Sequence, residues 1–78
     1  MAARSTTSTA AAHFGARVRA IRTEFGWSQE MLAEKSGFHW TYVGSVERGE
    51  RNVTLATIVR LAKALKTDPG DLVSGLKP

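Results

Sequence analysis

The sequence predicts a small all-α domain built from five helices. Along most of the chain, apolar side chains recur at intervals of three and four residues, which is the spacing of one face of an α-helix. Residues that cap helix N-termini, such as Ser28 and Thr54, precede these segments, and glycines follow three of them. No segment shows the alternation of apolar and polar residues that is typical of a β-strand. The predicted fold class is therefore all-α.

The first helix is predicted over His13–Phe25, after a flexible arm. Residues 1–12 are mainly alanine, serine and threonine, and without bulky apolar side chains they have little burial to offset the entropy lost on ordering. The apolar face of the helix follows at intervals of four, three and four residues: Phe14, Val18, Ile21 and Phe25. Gly26 then supplies a left-handed stop. We divide the chain into an arm, residues 1–12, and one domain, residues 13–76.

Two short helices joined by a tight turn are predicted next. Ser28 stands at the N-cap position of the second helix, and Gly37 ends that helix. The third helix is predicted from about His39 to Arg48, where Gly49 stops it. Because so few residues separate the second helix from the third, the two must cross steeply.

The fourth and fifth helices complete the domain. Thr54 caps an amphipathic fourth helix, whose apolar face is formed by Leu55, Ile58, Leu61, Ala62 and Leu65. Asp68 at the N-cap and Pro69 at the first helical position begin a short fifth helix. The apolar residues near the C-terminus exceed what one small core needs, so we predict a dimer interface formed by Leu65, Leu72, Val73 and Leu76. The alternative is that they complete the core of their own subunit.

The composition excludes several classes of protein. The 78 residues include no cysteine, and the two histidines, His13 and His39, are far apart in sequence, so we predict no metal and no cofactor. Ser28 and His39 are cap and turn residues, and Glu30 and Glu34 lie one turn apart on a solvated face. These residues do not form a catalytic arrangement, so an enzyme is not predicted.

The charge balance favours a polyanionic partner. Eleven lysines and arginines against seven acidic residues give a formal net charge of +4, and small basic domains attract nucleic acids. No apolar run approaches the roughly 20 residues of a membrane span. The N-terminus also lacks the apolar core of a secretory signal, so a cytoplasmic protein is expected.

One long segment, SQEMLAEKSGFHWTYVGSVERGERNVTLATIVRLAKAL, resembles the helix-turn-helix of the phage repressor and Cro type, the XRE family. The matching residues are Gln29, Leu32, Ala33, Gly37, Val43, Val46, Glu47 and Gly49. The resemblance spans about residues 13–76 and implies a compact five-helix lambda-repressor-like (Cro/CI-type) DNA-binding domain. Within the family, TYVGSVERGERNVTL is most similar to the controller proteins of restriction-modification systems. The chain departs from both patterns at Trp40, where an arginine is common.

The resemblance places the third helix, about residues 39–48, in the major groove of double-stranded DNA. Residues on its outward side at the N-terminal turns are suited to touch base edges, and the predicted base contacts are His39, Trp40, Thr41 and Ser45. The predicted phosphate contacts bracket this helix: Gln29, Tyr42, Arg48, Arg51 and Asn52. Alternatives stay open, namely a solvated face for Thr41 and Ser45, packing for Trp40, a helix cap for His39, and solvated charges for the arginines.

An acidic residue on such a helix needs an explanation, because Glu47 would repel phosphate. In the resembled family the matching glutamate points inward and pairs with an arginine of the first helix, and Arg22 occupies that arginine's position. The resemblance therefore implies a structural salt bridge between Arg22 and Glu47.

The sequence as a whole predicts a homodimeric transcription regulator that binds an inverted repeat, because one helix touches too few base pairs for useful specificity. RNA polymerase is a further possible partner, and Arg4 on the arm could reach a DNA groove. The alternative from another class is a protein-interaction module or an antitoxin of the same fold.

Overall fold

The computed structural model describes residues 7–78 and confirms the all-α, five-helix class. The helices are α1 (Thr9–Glu24), α2 (Gln29–Ser36), α3 (Trp40–Glu47), α4 (Leu55–Ala64) and α5 (Pro69–Val73). The described residues contain no β-strand. No helix among them combines the length and the apolar character that crossing a bilayer requires. Arg4, with the rest of the first six residues, lies outside the described part of the chain.

Helix α1 begins four residues earlier than predicted. The Ser8 side chain caps it by accepting a hydrogen bond from the Ala11 N–H at 3.0 Å, and the alanines that follow are strong helix formers. Just before the cap, the Thr7 N–H donates to the Gly49 carbonyl at 2.9 Å. The predicted arm boundary at residue 12 is therefore wrong, because a cap and good helix propensity order residues that have little apolar surface to bury.

The turn between α2 and α3 has the tight geometry that the glycine predicted. Gly37 lies in the left-handed region, at φ +80°, and its N–H donates to the Ala33 carbonyl, which ends α2. Only Gly37, Phe38 and His39 separate the two helices. A turn this short orients α3 relative to α2, and it leaves the start of α3 at the protein surface.

The core lies where α3 packs against α1 and α2, and where α4 and α5 close the other side. Its side chains are those of Phe14, Val18, Leu32, Ala33, Val43, Val46, Leu61, Ala62, Leu65 and Leu72. Leu65 and Leu72 are 1% and 0% exposed. Their assignment to a dimer interface is wrong, because side chains without accessible surface in one subunit complete its own core. Val73 is 37% exposed and Leu76 is half-buried, so these two keep surface for a partner.

A glycine sets how closely α1 approaches the end of α3. A Cβ atom added at Gly15 would overlap the Val46 carbonyl oxygen and lie 2.7 Å from the Glu47 carbonyl oxygen. The neighbouring atoms are backbone atoms, which cannot rotate away. This close packing brings the C-terminal turn of α3 against α1, so the two helices act as a rigid pair.

Candidate nucleic-acid interface

His39 organises the start of α3. Its Nδ1 accepts a hydrogen bond from the Thr41 N–H at 3.1 Å and lies 2.7 Å from Thr41 Oγ1. The imidazole is thus the N-cap of the helix, in the position that Ser, Thr, Asp or Asn usually fills. Both side chains are nevertheless exposed. The cap and the base-contact roles that were predicted as alternatives for His39 are compatible, since each uses a different ring nitrogen.

Trp40 extends the same exposed surface. Its side chain is 50% exposed, and its ring stacks against that of His39 with centroids 6.0 Å apart and an angle of 27° between planes. A fully packed tryptophan would lose most of its accessible surface. The structure therefore places three of the four predicted base-contact residues, His39, Trp40 and Thr41, together at the exposed first turn of α3.

Ser45, the fourth predicted base contact, is not on this surface. It is 7% exposed, its hydroxyl donates to the Tyr42 carbonyl at 2.7 Å, and it accepts a hydrogen bond from Arg51 Nε at 3.1 Å. This prediction is wrong for a simple reason. The loop after α3 folds back, and Arg51 covers the serine, which sequence spacing along one helix cannot show.

Arg51 and Tyr42 form one side of the candidate interface. The guanidinium carbon of Arg51 lies 5.5 Å from the centroid of the Tyr42 ring, a cation–π distance, and Ser45 holds its Nε. Tyr42 itself is half-buried and packs on Phe38, with ring centroids 5.1 Å apart. Arg51 remains exposed. These contacts reduce the freedom of a cation beside α3, which lowers the entropy cost of binding a phosphate there.

The predicted phosphate contacts Arg48 and Asn52 differ in whether the side chain is already paired within the protein. Arg48 is paired with the Glu50 carboxylate, at 3.0 and 3.2 Å, and the hydrogen bond with Glu50 raises the pKa of the Arg48 guanidinium. Arg48 therefore stays charged, but contact with a phosphate would compete with Glu50. Asn52 is exposed in the loop that precedes α4. The loop after α3 thus carries two exposed polar side chains, those of Arg51 and Asn52.

Beneath the surface, Arg22 and Glu47 join α1 to α3. Arg22 Nε and Nη2 donate to the two carboxylate oxygens of Glu47 at 2.6 and 2.9 Å, and Nη1 donates to the Trp27 carbonyl at 2.7 Å. The hydrogen bonds that Glu47 accepts raise the pKa of the Arg22 guanidinium, while burial opposes the shift. The two side chains are 10% and 2% exposed. The pair satisfies two buried charges and points the acidic group away from the surface of α3.

Gln29 connects this pair to the start of α2. Its amide nitrogen donates to Glu47 at 3.0 Å, and the side chain is half-buried. The amide oxygen lies over Gly44, where an added Cβ would come within 3.3 Å of it. One amide hydrogen of Gln29 is used on Glu47, which leaves the other without a protein acceptor among residues 7–78.

A second basic surface was not predicted as part of a site. Lys35, Arg60, Lys63 and Lys66 line an open hollow together with Ser36 and Ala64. Arg60 stacks on Phe38 at 3.9 Å and donates to the Ser36 carbonyl at 3.0 Å, so it closes the end of α2. The three-residue spacing of Arg60, Lys63 and Lys66 is visible in the sequence, but such spacing is typical of any solvated helix face. Within residues 7–78, no group of side chains is suited to hold a metal ion.

Comparison with known proteins gives consistent matches. A family model described as helix-turn-helix matches residues 18–72. The control protein C.SmaI of Serratia marcescens is 58% identical over 62 residues, covering 77% of this chain and 74% of that protein. The control protein C.BamHI of Bacillus amyloliquefaciens is 46% identical over 61 residues, covering 77% and 75%.

Solved structures show the same architecture. The restriction-modification controller protein C.AhdI from Aeromonas hydrophila is similar with a TM-score of 0.76 and 52% identity, over 78% of this chain and 92% of that one. The biofilm regulator SinR, solved in complex with DNA, has a TM-score of 0.74 and 29% identity, over 78% of this chain and 98% of that one.

Proposed function

This chain belongs to the helix-turn-helix family of DNA-binding transcription regulators, of the XRE type, and from that premise we propose that it is a homodimer that binds an inverted-repeat operator. Members of the family are regulators, not enzymes. One observation carries the proposal: the first turn of α3 exposes His39, Trp40 and Thr41 together, on a helix that a buried ion pair clamps from below.

The geometry of α3 suits the major groove. The groove of B-DNA is about 12 Å wide and accepts an α-helix, whose N-terminal residues reach the base edges. The side chains exposed at this end of α3 combine polar groups, which can hydrogen-bond to base edges, with the apolar face of an indole. Arg51, Asn52 and Gln29 flank the helix and supply phosphate contacts that set its register.

We propose a dimer because a single subunit would contact too few base pairs to specify an operator. One exposed turn reads only a few base pairs, whereas two copies of α3 about 34 Å apart read two half-sites one helical turn apart. The exposed part of Val73 and the half-buried Leu76 supply the apolar surface that we propose for contact between the subunits. The two-fold symmetry of such a dimer matches the symmetry of an inverted repeat.

The kind of regulator follows from the relatives. Since the chain is similar to control proteins of restriction-modification systems over about three quarters of its length, we propose that it controls the genes of such a system. Because such a regulator acts where its DNA lies, we propose that it works in the cytoplasm. Bound beside a promoter, it would also lie within reach of RNA polymerase, the second macromolecular partner that we propose.

The first test is selection from a random duplex library at about 0.15 M salt, where binding driven by phosphate contacts alone weakens. We expect an enriched inverted repeat with half-sites about one helical turn apart. Recovery of unselected sequence would contradict base reading and would favour a protein partner. Enrichment of a single half-site without its repeat would contradict the dimer.

A further inference from the structure

We propose that His39 and Thr41 form a fixed donor–acceptor pair, in which His39 Nε2–H donates to a base and Thr41 Oγ1 accepts from one. The inference deepens the proposed function and rests on it, because it specifies what the exposed turn of α3 reads. It predicts that Thr41 selects an exocyclic amino group, N6 of adenine or N4 of cytosine.

The contacts of His39 determine which of its ring nitrogens carries the proton. The Thr41 backbone N–H can only donate, and it points at His39 Nδ1 from 3.1 Å, so that nitrogen must present a lone pair. In a neutral imidazole the proton is then on Nε2. Among the described residues, no hydrogen bond involves Nε2, while the side chain is exposed. His39 thus presents a single N–H donor to whatever approaches the start of α3.

The same ring nitrogen orients the Thr41 hydroxyl. Its Oγ1 lies 2.7 Å from the same Nδ1. That nitrogen has a single lone pair, which already accepts from the backbone N–H, so the hydroxyl donates to it in a shared, bifurcated hydrogen bond. The hydroxyl proton is therefore directed at the histidine. Only the lone pairs of Oγ1 face outward, so Thr41 acts as an acceptor, although a free threonine can both donate and accept.

The acceptor of Thr41 and the donor of His39 each fit only some of the base edges in the major groove. In the major groove, adenine N6 and cytosine N4 are donors, whereas guanine N7 and O6 and thymine O4 are acceptors. An acceptor-only threonine is satisfied by adenine or cytosine on the strand that it touches, and it meets an acceptor at guanine or thymine. The donor of His39 has the opposite requirement, and suits guanine, thymine O4 or adenine N7.

Trp40 restricts the motion of this pair. Its ring stacks on the imidazole with 27° between the planes, so the ring of His39 is held from one side by the indole and at Nδ1 by Thr41. A donor and an acceptor whose directions are set before binding lose less entropy on contact with DNA. The pair therefore discriminates between bases more sharply than two freely rotating polar side chains would.

The tautomer is tested without DNA, by the ¹⁵N and ¹H correlation spectrum of the two imidazole rings of the full chain at pH 8. His13, exposed on α1, is the internal reference. We expect His39 to show the pattern of a fixed Nε2–H tautomer, and Thr41→Val to leave the cap but change the Nδ1 shift. A dominant Nδ1–H tautomer, or averaging like that of a free histidine, would overturn the proposal.

The base preference proposed for Thr41 is tested on the operator that the library selection yields. We expect one position in each half-site that prefers adenine or cytosine on one strand in the wild type and loses this preference in Thr41→Val. Replacing that base with purine or 2-pyrimidinone, which lack the amino group, should weaken wild-type binding roughly 5- to 150-fold. The same replacement should have little effect on Thr41→Val. Thr41→Ser, which keeps the hydroxyl, is the matched control and should respond as the wild type does.

The outcomes separate this inference from the proposed function. If the library yields an enriched operator but the wild type binds the amino-deleted duplex equally well, the pair does not read bases as proposed, and the regulator function stands. A preference for guanine or thymine at the Thr41 position overturns the inference in the same way. If no sequence is enriched, the proposed function itself fails, and the base-reading role of the pair fails with it.

Discussion

At the residue scale, burial distinguishes two arginine–glutamate ion pairs. Arg22 and Glu47 lie 10% and 2% exposed, whereas Arg48 and Glu50 lie 58% and 33% exposed. Solvent and salt screen the outer pair, so its net contribution is small. The inner pair is desolvated, and removal of one partner leaves a buried charge without compensation. The same chemistry thus supports the fold in one place and positions a surface charge in the other.

The inner pair gives the first prediction. Glu47→Gln removes the charge that compensates Arg22, and we expect a loss of about 3 kcal/mol in the free energy of unfolding. Urea denaturation followed by circular dichroism measures this loss. Glu34→Gln, an exposed glutamate on α2, is the control and should stay within about 0.5 kcal/mol of the wild type. Equal stability of the two variants would contradict the clamp.

Ser45 gives the second prediction. Because its hydroxyl holds Arg51 Nε and donates to the Tyr42 carbonyl, Ser45→Ala should lower stability by about 1 kcal/mol. DNA binding should weaken by the same small factor for all sequences, since the change reaches DNA only through a phosphate-contacting arginine. Titrations against the operator and its single-base variants measure this. A preference altered at one base pair would restore Ser45 as a base contact.

At the element scale, the position of α3 depends on the helix packed behind it. The predicted start of α1 was four residues too late, and its apolar face was recognised only in part. Phe14 and Val18 lie in the core and Ile21 packs against it, whereas Phe25 is 43% exposed. What periodicity did not indicate is the role of Gly15. A glycine inside a helix usually lowers stability, yet here it lets α1 approach the backbone of the last turn of α3.

This contact gives the third prediction. Intrinsic helix propensity alone would make Gly15→Ala stabilising by about 1 kcal/mol. We expect the opposite, a loss of about 3 kcal/mol, because the new Cβ overlaps backbone atoms that cannot move independently. Thermal and urea unfolding measure the sign. Ala20→Gly, at an exposed site of the same helix, is the control and should cost only about 1 kcal/mol. A variant Gly15→Ala at least as stable as the wild type would refute the close packing.

At the scale of the whole molecule, two kinds of surface remain for partners. One is basic and polar, around α3 and the loop that follows it. The other is apolar: Leu55 and Val59 on α4 are 82% and 53% exposed, and Val73 on α5 is 37% exposed. Apolar surface left on a small domain commonly marks an interaction site. Our proposal assigns the subunit contact to α5. The exposed face of α4 is the alternative dimer interface.

The dimer gives the fourth prediction. Val73→Asp buries an uncompensated charge if this face is the interface, so we expect the dissociation constant of the dimer to rise at least about tenfold. Light scattering over a range of concentrations measures it, and circular dichroism checks that the subunit stays folded. Val59→Asp is the matched variant on α4 and should leave the dimer unchanged. Dissociation caused only by Val59→Asp would move the interface to α4.

The number and order of the helices, the caps Ser28, Thr54 and Asp68, and the family were all predictable from the sequence, because they depend on local spacing and on side chains that are neighbours in the chain. The family resemblance also predicted the salt bridge between Arg22 and Glu47. The accessibility of each side chain, in contrast, depends on tertiary packing. Ser45 is covered by Arg51, and Leu65 and Leu72 are buried in their own core. Helical periodicity places a residue on a face, but burial depends on what distant segments lay over that face, and those contacts form only when the whole chain packs.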